Sequence, residues 1–414
     1  MLLSIGTDLV EVERIRKSMG NPRFCSRVFG TAEYSRLTQR GFPAESAAAA
    51  FCAKEAFSKA IGTGLGPFRL KEVQLLHDKA GKPYLALSGK ALRLAHGSQF
   101  SVSVTHTEEY ASAVVLRQDT AEEIPESEGL HILCSMLKPR AAESNKGDYG
   151  RLLCVCGSEG MAGAAAMSIN AALRCGAGIV EAALPRSIYP IVASRLAEPV
   201  FTLLHPQVDG SASPEDTTAV SQALQRASAI LVGCGLGRSA AAHSETAQIL
   251  REAAVPVVLD ADGINIAAEH IDILHTCSAP LILTPHPGEM ARLLNTTVKD
   301  VQEHREETAR RFAEEQHAIL VLKGAGTLVA SPDGRLYRNT TGNPGMAKGG
   351  SGDVLAGMIA SFTAQGIDPY FAAAGAVYLH GLAGDRCAAV YSQSAMLPTD
   401  LVGMLPEIFR EIGR

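Results

Sequence analysis

The chain contains no tryptophan, and aromatic residues make up only 5% of it. None of its nine cysteines are paired in CxxC spacing. An odd count without that spacing points to reduced thiols rather than a disulfide or metal framework. Cys154 and Cys156 stand two apart, so on a strand they would share one face as packing residues. Also missing is any run of ~20 apolar residues that could span a membrane. The least polar stretch, 370–384, is shorter and carries His380. No basic region followed by a long apolar core opens the sequence, so no secretory leader is expected there. The start MLLSIG runs straight into Asp8 and reads as a buried strand. No fixed-period repeat is evident. These absences lead to the expectation of a cytoplasmic chain, with neither membrane nor nucleic acid as a partner.

What is present divides in two. At 414 residues the chain exceeds a single domain of ~100–200. Hydrophobic residues at 46% and charged residues at 20% are ordinary for a soluble globular protein. Residues 1–117 carry a net charge of +6, and residues 118–414 carry −11. Such a reversal argues for two modules with different partners. A basic module speeds encounter with anionic partners, although a merely solvated basic surface would give the same count. Between the modules, 118–129 reads QDTAEEIPESEG, with five acids, a proline and no apolar periodicity. That composition suits a solvated linker.

In the first module, 2–5 and 100–104 read as strands and 111–116 as a closing strand rich in β-branched residues. Residues 44–61 read as a helix ended by GTGLGP. Asp8 stands at the end of the first strand and Glu55 in mid-helix. Two carboxylates brought together from strand and helix can hold Mg²⁺, which keeps waters and takes phosphate oxygens as further ligands. Lys54 and Lys59 flank Glu55. Lys59, at i+4, can share a helical face with Glu55, and an ordinary surface ion pair would explain that spacing equally.

The strings IGTDLVEVERI, AKEAFSKAIGTG, GKPYLALSG and SVSVTHTEEYASAVV together resemble the holo-acyl-carrier-protein synthases, which are 4′-phosphopantetheinyl transferases. The resemblance covers residues 1 to about 117 and implies a small α+β domain acting on coenzyme A and acyl carrier protein. It implies Mg²⁺ on Asp8 and Glu55, and Lys59 as the group that neutralises charge on the phosphates. Arg14 is a weaker candidate for phosphate or carrier contact. His106 either contacts nucleotide or caps a strand. The family often has arginine where this chain has Ala50, which puts one phosphate or partner contact in doubt. A homo-oligomer is implied by the same analogy. A docking domain for carrier protein is the non-enzymatic alternative, and the retained Asp8 and Glu55 argue against it.

In the second module, five apolar runs, LLCVCG, AILVGCG, VPVVLDAD, APLILTPH and AILVLKG, each end in glycine or a polar residue, with helical stretches between. That alternation predicts a mainly parallel sheet covered on both faces. Ligands bind such sheets at the carboxyl ends of the strands. The densest local signal is TTGNPGMAKGGSGDVLAGMIAS, 340–361. A glycine-rich turn at a helix N-terminus aims N–H groups and the positive dipole end at one spot, which suits a transferring phosphoryl group. Asp353 could accept a proton from an attacking hydroxyl, and an aspartate near a helix start is also an ordinary cap. KGAGT (323–327), TPHPGEM (284–290), DADGIN (260–265) and GSEGMAGAA (157–165) fall at the same expected sheet end.

These strings resemble the ADP- or ATP-dependent NAD(P)H-hydrate dehydratases of the ribokinase-like superfamily, from about residue 130 to 414. The resemblance implies a three-layer α/β/α domain that dehydrates the 6S hydrate of NADH or NADPH at the expense of ADP. It implies Asp353 as base, and Gly349, Gly350 and Gly352 as the anion hole. Lys323, Gly324, Ala325, Gly326 and Thr327, with Gly352, would line the nucleotide site. Ala164, Gly235, His286 and Asp353 would contact the hydrated dinucleotide, and Glu289 would help place Mg²⁺. Two alternatives stay open: a vitamin or sugar kinase of the same fold, and a non-catalytic nucleotide-sensing module that regulates the transferase.

Overall fold

The computed structural model describes residues 3–95, 98–118, 126–207 and 209–414. Its contacts divide the chain into two compact units, 1–124 and 125–414. Most of the expected linker, 119–125, lies outside the described residues. Gln118 still belongs to a strand, and Ser127 accepts from the Leu130 amide to cap a helix over Glu128–Met136. Glu128 and Gly129, expected as linker, therefore open that helix. Gly129 stands so close to Tyr378 and Tyr337 that a Cβ there would meet both rings' atoms within 2.4 Å. The residue serves close packing rather than chain flexibility.

In the first unit, β1 (Leu3–Glu11), β4 (Gln99–His106) and β5 (Tyr110–Gln118) form an antiparallel sheet in the order β1-β5-β4. β2 (Val73–His77) and β3 (Pro83–Leu87) form a separate hairpin. The helix Ala44–Ala60 lies on the three-stranded sheet. Its alanine-rich face explains the fit: Ala49, Ala53, Ala56 and Ala60 are all buried. A Cβ on Gly6 of β1 would lie 1.9 Å from the Ala56 carbonyl, so only glycine allows this approach. β1 runs past the expected end and pairs with β5 along its whole length. Asp8 therefore sits inside the strand, opposite Ala113, rather than at its end.

The second unit is built on a nine-stranded sheet, ordered β14-β13-β12-β11-β10-β9-β6-β7-β8. The strands are β6 (Arg151–Val155), β7 (Ile179–Pro185), β8 (Val200–Leu204), β9 (Ala229–Val232), β10 (Val257–Leu259), β11 (Leu281–Leu283) and β12 (Ile319–Leu322). These seven are mutually parallel. β13 (Leu328–Ala330) and β14 (Leu336–Arg338) add an antiparallel edge. All five apolar runs are strands of this sheet. Their carboxyl ends place the loops after Val155, Val232, Leu259, Leu283 and Leu322 along one edge, as parallel alternation requires. The helix Ser351–Ala364 packs on the helix Ala162–Arg174. The 370–384 stretch falls within the helix Pro369–Ala395. Among the described residues no helix is long and apolar enough to cross a membrane.

Candidate functional site

At the carboxyl ends of β10, β11 and β12 a cavity of about 850 Å³ opens. Its walls include His286, Glu289, Asp353, the whole of 323–327 and the glycine turn 349–352. Asp353 stands in the first turn of the helix Ser351–Ala364, whose N-cap is Gly350 at φ 100°. That left-handed conformation favours glycine, and a Cβ at Gly350 would also strike the Met167 side chain at 2.5 Å. Gly349 faces open space. A Cβ at Gly352 would lie 3.1 Å from Lys323 Nζ. The turn thus leaves main-chain groups accessible beside an ammonium, the arrangement an anion needs.

Charges in the cavity are not independent. Lys323 Nζ lies 2.7 Å from Asp260 Oδ1, and the Thr284 hydroxyl donates to that same oxygen at 2.6 Å. Burial opposes the charge on Lys323, but Asp260 and Glu289 beside it outweigh burial and raise its pKa. Burial and the neighbouring Asp260 push the Asp353 carboxyl up to about 6. Burial pushes Glu289 up to about 7, with Asp260 adding to it. Burial, Lys323 and Arg292 lower His286.

His286 and Glu289 also have a structural task. The His286 ring accepts from the Gly288 amide at 3.0 Å, and Glu289 accepts from the His286 amide at 2.8 Å. This reciprocal cap starts the helix Pro287–Leu293. Ala164 and Gly235 do not line the cavity. They meet each other instead: a Cβ on Gly235 would lie 2.8 Å from that of Ala164. The Ser158 hydroxyl holds the Gly235 carbonyl at 2.8 Å, tying the 157–163 turn to the loop after β9.

In the first unit, Lys59 Nζ lies 3.0 Å from Asp8 Oδ1 and donates to the Thr7 carbonyl at 2.8 Å. The expected i+4 ion pair with Glu55 is thus replaced by a reach across to β1. Burial raises the Glu55 pKa, and Asp8 raises it further, while Lys59 and Arg14 work against that. Asp8, Glu55, Lys59 and Arg14 therefore share one electrostatic neighbourhood. Lys54 does not join them. It is fully buried, 2.7 Å from Glu33 Oε2, and it also donates to the Val73 carbonyl. Ala50 is buried beside a hollow of about 110 Å³ that Arg36, Arg40, His77 and His106 also line.

Comparison with known proteins bears on both units. Residues 152–407 match the family model described as NAD(P)H-hydrate dehydratase. The chain belongs to the NAD(P)H-hydrate dehydratase family. Residues 4–115 match the 4′-phosphopantetheinyl transferase superfamily. A bifunctional NAD(P)H-hydrate repair enzyme of Moorella thermoacetica is 44% identical over 279 residues, covering 67% of this chain and 52% of that protein. The chain thus spans about half the length of the first curated relatives it matches. An ADP-dependent (S)-NAD(P)H-hydrate dehydratase of Neisseria meningitidis is 42% identical over 255 residues, 60% of this chain and 81% of the relative. A crystal structure of the Bacillus subtilis ADP/ATP-dependent dehydratase, grown with ATP and Mg²⁺, superposes at TM-score 0.60 with 31% identity. It covers 70% of this chain and all of the other.

Within the dehydratase domain, sequence reasoning left several cavity residues without a role. Asp260 was visible only as one acid of a strand-end motif, and its pairing with Lys323 needs the sheet order. His380 lines the cavity, and burial lowers its pKa to about 4, so it is neutral there. Its Nε2 lies 3.4 Å from the Ser351 hydroxyl. Asp385 takes the Gly342 amide and the Asn343 side chain at 2.8 and 3.0 Å, anchoring the loop that precedes the glycine turn. The YLHGLAGD string was the only available signal for both.

Proposed function

We propose that the second unit removes water from (6S)-NAD(P)H hydrate, using ADP as phosphoryl donor. The observation that carries this reading is Asp353 in the same cavity as Lys323, His286 and the glycine turn. Asp353 takes the proton of the hydrate's hydroxyl as its oxygen attacks the terminal phosphorus of ADP. The amides at Gly349, Gly350 and Gly352, with Lys323, hold the charge on the moving phosphoryl group. AMP leaves, phosphate then departs from the phosphorylated hydrate, and the dihydronicotinamide ring is restored. Lys323 through Thr327 line the nucleotide side. His286 faces the dinucleotide, while Ala164 and Gly235 shape the adjoining loop. Glu289, buried beside Lys323, fits a place near Mg²⁺, which when bound would draw charge from the phosphates. A vitamin or sugar kinase would leave a stable phosphorylated product. A nucleotide sensor would have no use for a proton acceptor poised near neutrality.

This reading sets a pH profile. Because the Asp353 carboxyl titrates at about 6, it holds its proton below that pH and cannot accept another. The dehydration rate is expected to climb as pH rises through about 6 and then level. A kcat profile flat from roughly pH 5 to 8 would remove Asp353 as the base.

The first unit is proposed to transfer 4′-phosphopantetheine from coenzyme A to a serine of acyl carrier protein, releasing adenosine 3′,5′-bisphosphate. Asp8 and Glu55 form a donor set that fits Mg²⁺: two carboxylates from separate elements, one of them raised by the other's charge. Lys59, already drawn to Asp8, meets the pyrophosphate. Arg36 and Arg40, lining the hollow beside Ala50, replace the positive charge that relatives carry at position 50. The basic balance of 1–117 suits an acidic carrier protein.

A homo-oligomer is part of this proposal. On β1 the alternating side chains Ile5, Thr7 and Leu9 face outward, with Val114 opposite Thr7 on β5. Ile5 and Leu9 are each 65% exposed, and a sheet face this apolar calls for cover. A second copy of this chain would supply it. Leu9→Asp is expected to lower the native mass measured by light scattering. An unchanged mass would place the contact elsewhere.

A further inference from the structure

Asp260 is used neither as base nor as nucleotide contact in the reading above, yet it is the most connected side chain at the cavity. It stands directly after β10, Thr284 directly after β11 and Lys323 directly after β12, on three neighbouring strands. Asp260 is 1% exposed. Its Oδ1 receives both the Thr284 hydroxyl at 2.6 Å and the Lys323 ammonium at 2.7 Å. Its Oδ2 takes the Cys234 thiol at 3.6 Å, from the loop after β9. Cys234, Asp260 and Asp353 bring their polar atoms within 4.8 Å of one another. The ammonium of Lys323 is the counter-charge at this cluster.

A lysine side chain is a point charge on a flexible stem and loses considerable rotamer freedom when fixed. Only a partner that is itself rigid can hold it in one place. Asp260 is rigid, because Thr284 and Cys234 fix its two oxygens. The place it selects is informative: a Cβ on Gly352 would lie 3.1 Å from Lys323 Nζ and 4.0 Å from Asp260 Oδ2. The lysine head is therefore parked at the glycine turn, one residue from Asp353.

We propose that Asp260 is a positioning residue for phosphoryl transfer, holding the Lys323 ammonium, with help from Thr284, where it meets the moving phosphate. This inference rests on the dehydratase reading and adds a residue to it. Loss of the Asp260 charge frees the lysine head, so the transferring group loses a prearranged cation. Ground-state nucleotide binding depends on the rest of the 323–327 loop and is affected less.

The test measures kcat and the KM for ADP with NADH hydrate in the full chain, for wild type, Asp260→Asn, Lys323→Ala and the double variant. Asp260→Asn preserves size. Its kcat is expected to fall on the order of 100-fold, with a smaller change in KM. Lys323→Ala is expected to lose a similar amount, and the double variant no more than either alone, because both remove one unit. An Asp260→Asn enzyme as fast as wild type, or a double variant whose loss is the product of the single losses, would overturn the proposal. If Asp260→Asn does not fold, Thr284→Val takes its place. It is expected to lose about 5-fold in kcat, and nothing further in the Lys323→Ala background; a loss that persists there overturns the proposal. Absence of turnover in wild type would overturn the dehydratase reading itself, a result distinguishable from an active wild type with an undiminished Asp260→Asn.

Discussion

Asp353→Asn is expected to cut dehydration of NAD(P)H hydrate by about 10²–10⁴-fold, the range for losing a positioned general base. Asparagine matches the aspartate in shape and leaves the turn Gly349 to Gly352 intact. Nucleotide affinity should therefore change little, as titration calorimetry with ADP would record. The split separates two roles for this carboxyl. A cap-like residue at a helix start would be worth about 1 kcal/mol of stability, with no selective loss of turnover. Burial and the nearby Asp260 keep the carboxyl at about 6, so it is basic enough to accept a proton and mostly free to do so at neutral pH. Full turnover by Asp353→Asn would mean that another group, or solvent, takes the hydroxyl proton.

The second large effect lies in the first unit and concerns folding. Lys54 and Glu33 are both buried and lie 2.7 Å apart. Glu33 also accepts from the amides of Leu75 and Gly30, at 2.8 and 3.3 Å. The pair thus ties the helix Thr31–Gln39 to the helix Ala44–Ala60 and to β2. Lys54→Met would leave Glu33 as an uncompensated charge in the interior, which costs about 3–5 kcal/mol. Burial already raises the Glu33 pKa even with the lysine present. Without the lysine the folded state would prefer the protonated acid more strongly. The deficit is therefore largest at high pH and shrinks as pH falls, since a raised folded pKa favours the fold below it. Amide exchange along Ala44–Ala60 in the full chain, at several pH values, reads this directly. Exchange as slow as in wild type would show that the pair contributes nothing to the fold. Combining Lys54→Met with Glu33→Gln should recover part of the loss.

The site in the second unit was legible because its signals are local. GGSGD needs only the run of glycines and the helix that follows, and KGAGT and TPHPGE each sit at the end of an evident apolar strand. The partners of those residues were hidden. Asp260, Thr284 and Lys323 are far apart in sequence, and only the order of β10, β11 and β12 brings them together. Spacing also failed to reveal depth. Lys54 and Lys59 both flank Glu55, yet one is fully buried against Glu33 and the other reaches β1. The first strand was expected to stop at Ile5 because glycine, threonine and aspartate follow. It continues because each of those residues has a partner on β5. β7 was missed because Glu181 interrupts its apolar run. That carboxylate is buried between Arg151 and Arg226, each at 2.7 Å, and such pairing is invisible along the chain.

The most direct measurement incubates the full chain with (6S)-NADH hydrate, ADP and Mg²⁺ and follows the near-ultraviolet absorbance of reduced nicotinamide. Absorbance should return as AMP and phosphate appear in equal amounts. A phosphorylated hydrate that accumulates without restored NADH, or a hydrate left unconsumed, would contradict the account.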